Sequence, residues 1–391
     1  MKASGINSAD VKKLNRLTVL KYLSQNKGIS RMELTANTGL TKMTISNIIT
    51  EFIDKGLLEY SDHIQPVSAS AGRKPAGLQF THKTPVIAGL WISRDGCTAV
   101  ITNLHLSQVK QESIPFENEN TESLETKLLK LMDSILSGIE QPLIGIGVAS
   151  IGPLDMENGI LLNPPNFFHI TVFKYRELFE KKYNCPVFVQ NDMNAAALAE
   201  NYFGICKDVK NFAYVGLSNG IGSGIIVNHE LFEGSKGFAG EIGHMIINYS
   251  GPKCHCGNCG CLETYLNITN LIEAFEARFS EGISRFSEIM DYCKTSQQGQ
   301  AWLKEQMDIL TIGLVNMCNT VDPHIIVMGH EAALLDVKTL DYIEKVLNDK
   351  ILAAGFTNIK IVRSSFGNLA PVMGASVIVL EKLFKGKLEL V

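Results

Sequence analysis

Residues 240–263 read GEIGHMIINYSGPKCHCGNCGCLE, and four of the nine cysteines fall in this stretch: Cys254, Cys256, Cys259 and Cys261. The other five, Cys97, Cys185, Cys206, Cys293 and Cys318, are scattered. In a cytosolic chain so tight a cluster reads as a metal site rather than a disulfide framework. One His with three Cys makes a closed tetrahedral set of the structural Zn2+ kind. His244, Cys254, Cys256 and Cys261 are the preferred ligands. Cys259 and His255 compete for places, and the alternative is a group of free thiols. The glycines let the knuckle turn tightly around an ion. Such sites hold a loop together and say little about function.

The surrounding chain has ordinary globular composition: 391 residues, 45% hydrophobic and 19% charged. Gly 33 and Pro 12 are too few for a fibrous or low-complexity chain. No apolar run reaches the ~18 residues of a membrane span, and the first residues, MKASGINSADVKK, lack the apolar core of a signal peptide. A cytoplasmic protein without membrane contact is expected. The net charge of -4 is unevenly placed: residues 1–80 carry 11 Lys+Arg against 6 Asp+Glu. A basic head on an acidic body implies that only the head meets a polyanion.

The head carries a helical apolar pattern over residues 9–25. Ser30 with Glu33 forms a capping box, Gly39 ends the second helix and Thr41 caps a third. Ile45, Ile48, Ile49, Phe52 and Ile53 form an amphipathic stripe. This is a helix-turn-helix pattern whose third helix would enter a major groove. Thr41, Lys42, Met43, Thr44, Ser46 and Asn47 are the candidate DNA-reading residues. Leu57–Tyr60 and Leu78–Phe80 read as the strands of a wing, with Arg73 and Lys74 placed to reach phosphates or a minor groove. The competing reading is a protein-interaction module.

Past a Ser/Pro/Gly/Ala-rich linker at 64–83 the pattern changes to α/β. Strand-like runs are expected at Val86–Ile92, Thr98–Thr102, Ile144–Ala149, Val187–Gln190, Phe212–Leu217, Gly224–Val227 and Ile325–Met328. Helices are expected at Leu124–Ile139 and Ala195–Phe203. The run Gly220-Ile221-Gly222-Ser223-Gly224 can aim backbone N–H groups at a phosphate, or simply serve a tight turn. Asn166, Asn191, Asp192, Glu241, His244 and Glu263 are amides, carboxylates and an imidazole of the kind that binds a polyhydroxyl ligand. Asp192 suits a general base on a hydroxyl; the alternative is a helix N-cap.

The motif Gly240-Glu241-Ile242-Gly243-His244, followed by Cys254-x-Cys256-Gly257-x-x-Gly260-Cys261-x-Glu263, resembles the ROK family of repressors, open reading frames and sugar kinases. The resemblance covers nearly the whole chain. It implies an actin-like, sugar-kinase-type body of two lobes around a cleft. The expected units are a winged helix-turn-helix at 1–63, wing end and linker at 64–83, a first lobe at 84–198 with 371–391, and a second at 199–370 holding a zinc knuckle at 244–263. The helix around 371–384 is expected to return to the first lobe. The resemblance implies sugar contacts at the six residues just named, with His244 serving both Zn2+ and sugar.

Departures from the family decide the enzymatic question. The kinases' Asp-x-Gly-Gly-Thr phosphate loop is replaced here by Trp91-Ile92-Ser93-Arg94-Asp95, and a later Gly-Thr by Ser218-Asn219. Without those glycines the backbone cannot approach a phosphate, so no enzymatic activity is expected, although Asp192 keeps the position of the kinase base. Phe167-Phe168-His169 replaces a more usual polar stretch and bears on sugar identity. The sequence thus reads as a sugar-responsive repressor, a homodimer or homotetramer that binds operator DNA and a neutral sugar. The alternatives are an ATP-dependent sugar kinase with a DNA-binding head, and a metal sensor.

Overall fold

The computed structural model of the chain describes residues 7–61 and 77–390. Three helices come first: α1 (Ser8–Gln25), α2 (Arg31–Thr38) and α3 (Lys42–Asp54). They are followed by the antiparallel pair β1 (Leu58–Ser61) and β2 (Gly77–Phe80). Ser30 Oγ accepts from Glu33 N at 3.2 Å, and Glu33 Oε2 accepts from Ser30 N at 2.8 Å. Gly39 closes α2 at φ 68°, where only glycine is free of a Cβ penalty. Thr41 caps α3 through Thr44 N at 3.2 Å. Ile45, Ile48, Ile49 and Phe52 are buried, as their spacing demands. In α1 the apolar pattern begins at Val11, but Val11 and Leu14 are exposed and burial starts only at Val19. Arg73 and Lys74 lie outside the described residues.

The body holds two sheets of one topology. In the first, β3 (Val86–Ile92), β4 (Gly96–Thr102) and β5 (Gln108–Pro115) form an antiparallel meander. After α4 (Thr121–Leu136) the chain returns as β6 (Leu143–Ser150), parallel to β3. A small sheet of β7 (Leu154–Asp155), β8 (Ile160–Leu162) and β9 (Val172–Lys174) follows, then α5 (Tyr175–Tyr183) and β10 (Val187–Asn191), parallel to β6. The order is β10-β6-β3-β4-β5. Helix α6 (Asp192–Tyr202) leads to the second meander, β11 (Phe212–Leu217), β12 (Ile221–Val227) and β13 (Glu230–Leu231). Helices α7 (Glu263–Leu266), α8 (Ile268–Phe279), α9 (Phe286–Thr295) and α10 (Gln297–Val321) precede β14 (Ile325–His330), parallel to β11. After α11 (Val337–Lys350) comes β15 (Lys360–Arg363), parallel to β14, and α12 (Ala370–Phe384) ends the fold. The order β13-β12-β11-β14-β15 repeats that of the first sheet.

Between the sheets lie α12, packed on β3 and β6, and α6, packed on β11 and β12; the two helices also pack on each other. These helix-to-sheet and helix-to-helix contacts are built from small residues. A Cβ on Gly147 would strike Ala375 O, and one on Gly374 would strike Ala195 O. Gly222 and Gly224 serve the same close approach: a Cβ there would lie 2.9 Å from Met193 Cγ and 2.6 Å from Ala197 Cβ, respectively. These two glycines of the Gly220–Gly224 run are therefore helix-packing residues. The stretch Gly367–Phe384 is long and apolar enough to cross a membrane, yet it is 78% buried within the body. All eleven residues of α6 are buried, and a lobe division at 198/199 falls inside it.

The strands missing from the sequence reading are edge or short ones. In β5 the residues alternate between exposed and half-buried and are mostly polar, so the strand carries little apolar signal. The head docks on the far end of α6 and the turn after it, and α1 also packs on α12. Gln25 Nε2 donates to Tyr202 O at 2.7 Å, Lys207 Nζ to Asn26 Oδ1 at 3.3 Å, and Lys21 Nζ lies 4.9 Å from the Tyr202 ring centre. His105 Nδ1 stands 2.9 Å from Ser24 O.

Candidate functional site: a cleft between the lobes

A cleft of about 1120 Å³ opens between the two sheets. Asn166, Asn191 and Asp192 line it from the first lobe, and Glu241, His244 and Glu263 from the second. All six residues singled out for polyol chemistry thus meet in one place, although up to 97 positions separate them in sequence. The described lining carries five carboxylates, Asp95, Asp192, Glu241, Glu263 and Glu331, against one cationic side chain, Arg94. That balance opposes anionic ligands and suits neutral hydroxyls.

The N-terminus of α6 sits at the cleft floor. Asn191 caps the helix, its Oδ1 accepting from Met193 N at 3.0 Å and Asn194 N at 3.3 Å. The cap is therefore Asn191 and not Asp192, which leaves only the Asn191 amide NH2 for a ligand. Asp192 Oδ1 accepts from Met193 N at 2.9 Å. Burial pushes the Asp192 carboxyl up to about 6; the Met193 N–H, the Arg94 charge and the Trp91 indole oppose the rise and Glu241 adds to it. The Trp91 Nε1–H lies near this carboxylate without forming a well-directed hydrogen bond. Glu241 is an exposed residue on the cleft wall; partial burial of its carboxyl raises its pKa, with His244 opposing the rise and Glu263 adding to it. Glu263 Oε2 is anchored by Ile221 N at 3.1 Å.

Further groups in the cleft were not singled out for ligand contact from sequence. His330, 3% exposed, has its Nδ1 3.2 Å from Tyr214 Oη, and burial lowers its pKa to about 4. Its ring meets Trp91 edge-on, with centres 5.6 Å apart. Arg94 and His169 also line the space. Arg94 lies within the stretch Trp91–Asp95, which the family comparison marks, and that is the one signal that pointed to it.

At the cleft's edge the side-chain atoms of His244, Cys254, Cys256 and Cys261 lie within 4.8 Å of one another. His244 Nδ1 to Cys254 Sγ is 3.6 Å, and Cys256 Sγ to Cys261 Sγ is 3.7 Å. A tetrahedral ion with bonds of about 2.3 Å to sulfur and about 2.05 Å to nitrogen separates its ligands by about 3.8 Å (S to S) and about 3.6 Å (S to N), so the four residues fit such a metal. Cys259 is exposed and outside this set. His255 stands beside it, Nδ1 3.5 Å from Glu263 Oε1, and with His244 and Glu263 forms a second, overlapping group. The turn depends on Gly260 (φ 71°), where any Cβ would collide with Asn248 O.

In the head, Lys42, Met43 and Asn47 are exposed along one side of α3, beside Thr41. Thr44 and Ser46 are half-buried: Thr44 Oγ1 lies 2.9 Å from Thr41 Oγ1, and Ser46 Oγ accepts from Arg31 Nη1 at 3.2 Å.

Duplicated sheets around a cleft of this make-up define the sugar-kinase-like class of α/β proteins. The chain belongs to the ROK family, whose model matches residues 87–382. It is 30% identical over 375 residues to a xylose repressor of Bacillus spizizenii, covering 95% of this chain and 96% of that one. Among solved structures it resembles a ROK family transcriptional regulator homologous to the Escherichia coli Mlc protein. That match has a TM-score of 0.79 at 24% identity and covers 96% of this chain and 97% of the other. A ROK hexokinase from Thermus thermophilus matches with a TM-score of 0.66 at 23% identity, over 77% of this chain and all of its own.

Proposed function

We propose that this protein is a sugar-responsive transcriptional repressor. The observation that carries the reading is that one buried helix, α6, has its N-terminus in the polyol-type cleft and its C-terminus under the head. A sugar that prefers one lobe arrangement acts on α6 and α12 and so shifts the head. It can do this only through its differential affinity for the two states. The head is a winged helix-turn-helix: α3 reads a major groove with Thr41, Lys42, Met43, Thr44, Ser46 and Asn47, and Arg73 and Lys74 reach the backbone or minor groove. In a cytosolic homodimer or homotetramer two heads meet the half-sites of a palindromic operator.

The effector is a neutral sugar, xylose or a relative, held by Asn166, Asn191, Asp192, Glu241, His244 and Glu263. Both the acidic lining and the full-length similarity to a xylose repressor support it. His244, Cys254, Cys256 and Cys261 hold a structural Zn2+. With Nδ1 among the metal ligands, His244 keeps Nε2 for a sugar hydroxyl, and the metal fixes that tautomer and orientation. No phosphoryl transfer is expected, because Trp91-Ile92-Ser93 takes the place of a phosphate loop and the glycines of β12 pack against α6.

The test is binding to an operator selected from a randomised duplex library, at fixed salt, with and without xylose, glucose and N-acetylated hexosamines. Sugar-dependent affinity supports the reading; affinity indifferent to every sugar refutes it. A coupled ADP-release assay with the same sugars addresses the kinase alternative, and sustained turnover would establish it.

A further inference from the structure

The turn between β3 and β4 carries Ser93, Arg94 and Asp95, and each contacts a different neighbour. Ser93 Oγ donates to Gly96 O at 3.0 Å and closes the turn. Arg94 Nε donates to Pro165 O at 3.2 Å. The loop it grips contains Asn163, Asn166, Phe168 and His169, all with φ between 42° and 60°. Four non-glycine residues in the left-handed region do not adopt that shape unaided; the surroundings must impose it. Asp95 Oδ2 accepts from Asn219 Nδ2 at 2.9 Å. Asn219 lies in the β11–β12 turn, which occupies in the second lobe the place that 93–95 occupies in the first. The two equivalent turns therefore meet across the cleft. Arg94 is the one Arg or Lys among the described cleft residues, and its Nη1 faces Gly220 on the side of Glu263.

We propose that Arg94 is a positioning residue of the effector site: it holds the 163–169 loop in its ligand-facing shape and sets a positive charge opposite Asp192, while the Asp95–Asn219 bond fixes the second lobe beside it. This rests on the cleft being the effector site. Asp192 is surrounded by Arg94 and the Trp91 indole from the first lobe, Glu241 and Tyr214 from the second, and the Met193 N–H of its own helix. Arg94 is the one cation among them, so its loss makes the carboxylate harder to ionise.

Trp91 reports this directly. The chain has two tryptophans, and Trp302 lies apart in the second lobe, its ring centre 5.2 Å from that of Phe275. In a Trp302→Phe background, Trp91 emission is followed from about pH 5 to about pH 8, above the His330 midpoint of about 4. A midpoint near 6 that disappears in Asp192→Asn assigns the signal to Asp192. Arg94→Ala is expected to raise the midpoint by about 1 pH unit, and Arg94→Lys to return it most of the way. An unchanged midpoint in folded Arg94→Ala overturns the proposal. Xylose titration calorimetry of the full chain is the second arm: Arg94→Ala and Asn219→Ala should each weaken binding about 5- to 10-fold, as loss of one hydrogen bond to a charged or constrained partner does. Wild-type affinity in both variants also overturns it. Failure of the unsubstituted protein to bind xylose counts against that sugar, while the fluorescence arm, which needs no ligand, still decides the role of Arg94.

Discussion

Few polar contacts join the head to the end of α6 and the turn that follows it, which makes the link between them measurable. The double variant Gln25→Ala, Lys207→Ala removes the bond to Tyr202 O at 2.7 Å and the bond to Asn26 Oδ1 at 3.3 Å. Each is worth about 0.5–1.5 kcal/mol net, so the pair removes about 1–3 kcal/mol of docking energy. A coupling between two sites is itself typically about 1–3 kcal/mol, or roughly 5- to 150-fold in affinity. The loss is thus comparable to the whole signal. Neither residue lines the cleft and neither lies on α3, so sugar affinity and sugar-free operator affinity should stay within about threefold of the parent, the scatter expected of surface changes. The sugar response of operator affinity should fall to a few-fold at most. Fluorescence anisotropy of a labelled operator with and without xylose, at one fixed salt concentration, measures it. A double variant that retains the parent's full sugar response refutes transmission through the contact of head and α6.

Asp192→Asn should abolish sugar binding yet stabilise the protein. The folded pKa of about 6 lies above the unfolded value near 3.8, so the folded state holds the proton more tightly and loses stability as pH rises between the two. The gain, roughly 1–3 kcal/mol, should therefore appear as a higher Tm at pH 7.5 and vanish below about pH 4. Gly374→Ala should lower Tm by several degrees: the helix propensity gain is about 1 kcal/mol, but the new Cβ meets the backbone of Ala195, which cannot step aside. A stabilised Gly374→Ala would contradict the close packing of α6 on α12. Cys256→Ser should lose both bound zinc, by elemental analysis, and the sugar response; a variant without zinc that still responds normally would divorce the knuckle from the cleft. Asn47→Ala should cost about 1–3 kcal/mol on the selected operator, whereas Lys42→Ala should weaken all DNA alike and reduce the salt slope by about one.

Much of the head could be read locally. A capping box, a left-handed glycine and the stripe from Ile45 to Phe52 depend on residues three or four positions apart, and the structure reproduces each. The His/Cys cluster was nearly as legible, because three of its four members lie within eight residues and wrap one turn. Less legible were features defined by distant partners. Gly222 and Gly224 look like a phosphate loop until Met193 and Ala197 are placed against them. Asp192 reads as a polyol-binding carboxylate or, alternatively, a helix cap until Asn191 takes the cap and leaves Asp192 lining the cleft. Arg94 carries no motif of its own; its meaning comes from Pro165, 71 positions away.

The sequence alone determined the sequence-local chemistry: a basic helical head, an α/β body, a Cys/His knuckle and an inventory of sugar-type side chains. Backbone capping, side-chain period and ligand type act over a few residues, and such signals survive without a fold. Tertiary structure decided how these parts meet. Two sheets of equal topology, held apart by the close-packed pair α6 and α12, bring six distant side chains into one cleft and lay the far end of α6 beneath the head. That arrangement follows from burying both sheet faces against small-residue helices, a demand of the whole body that no single stretch of sequence expresses.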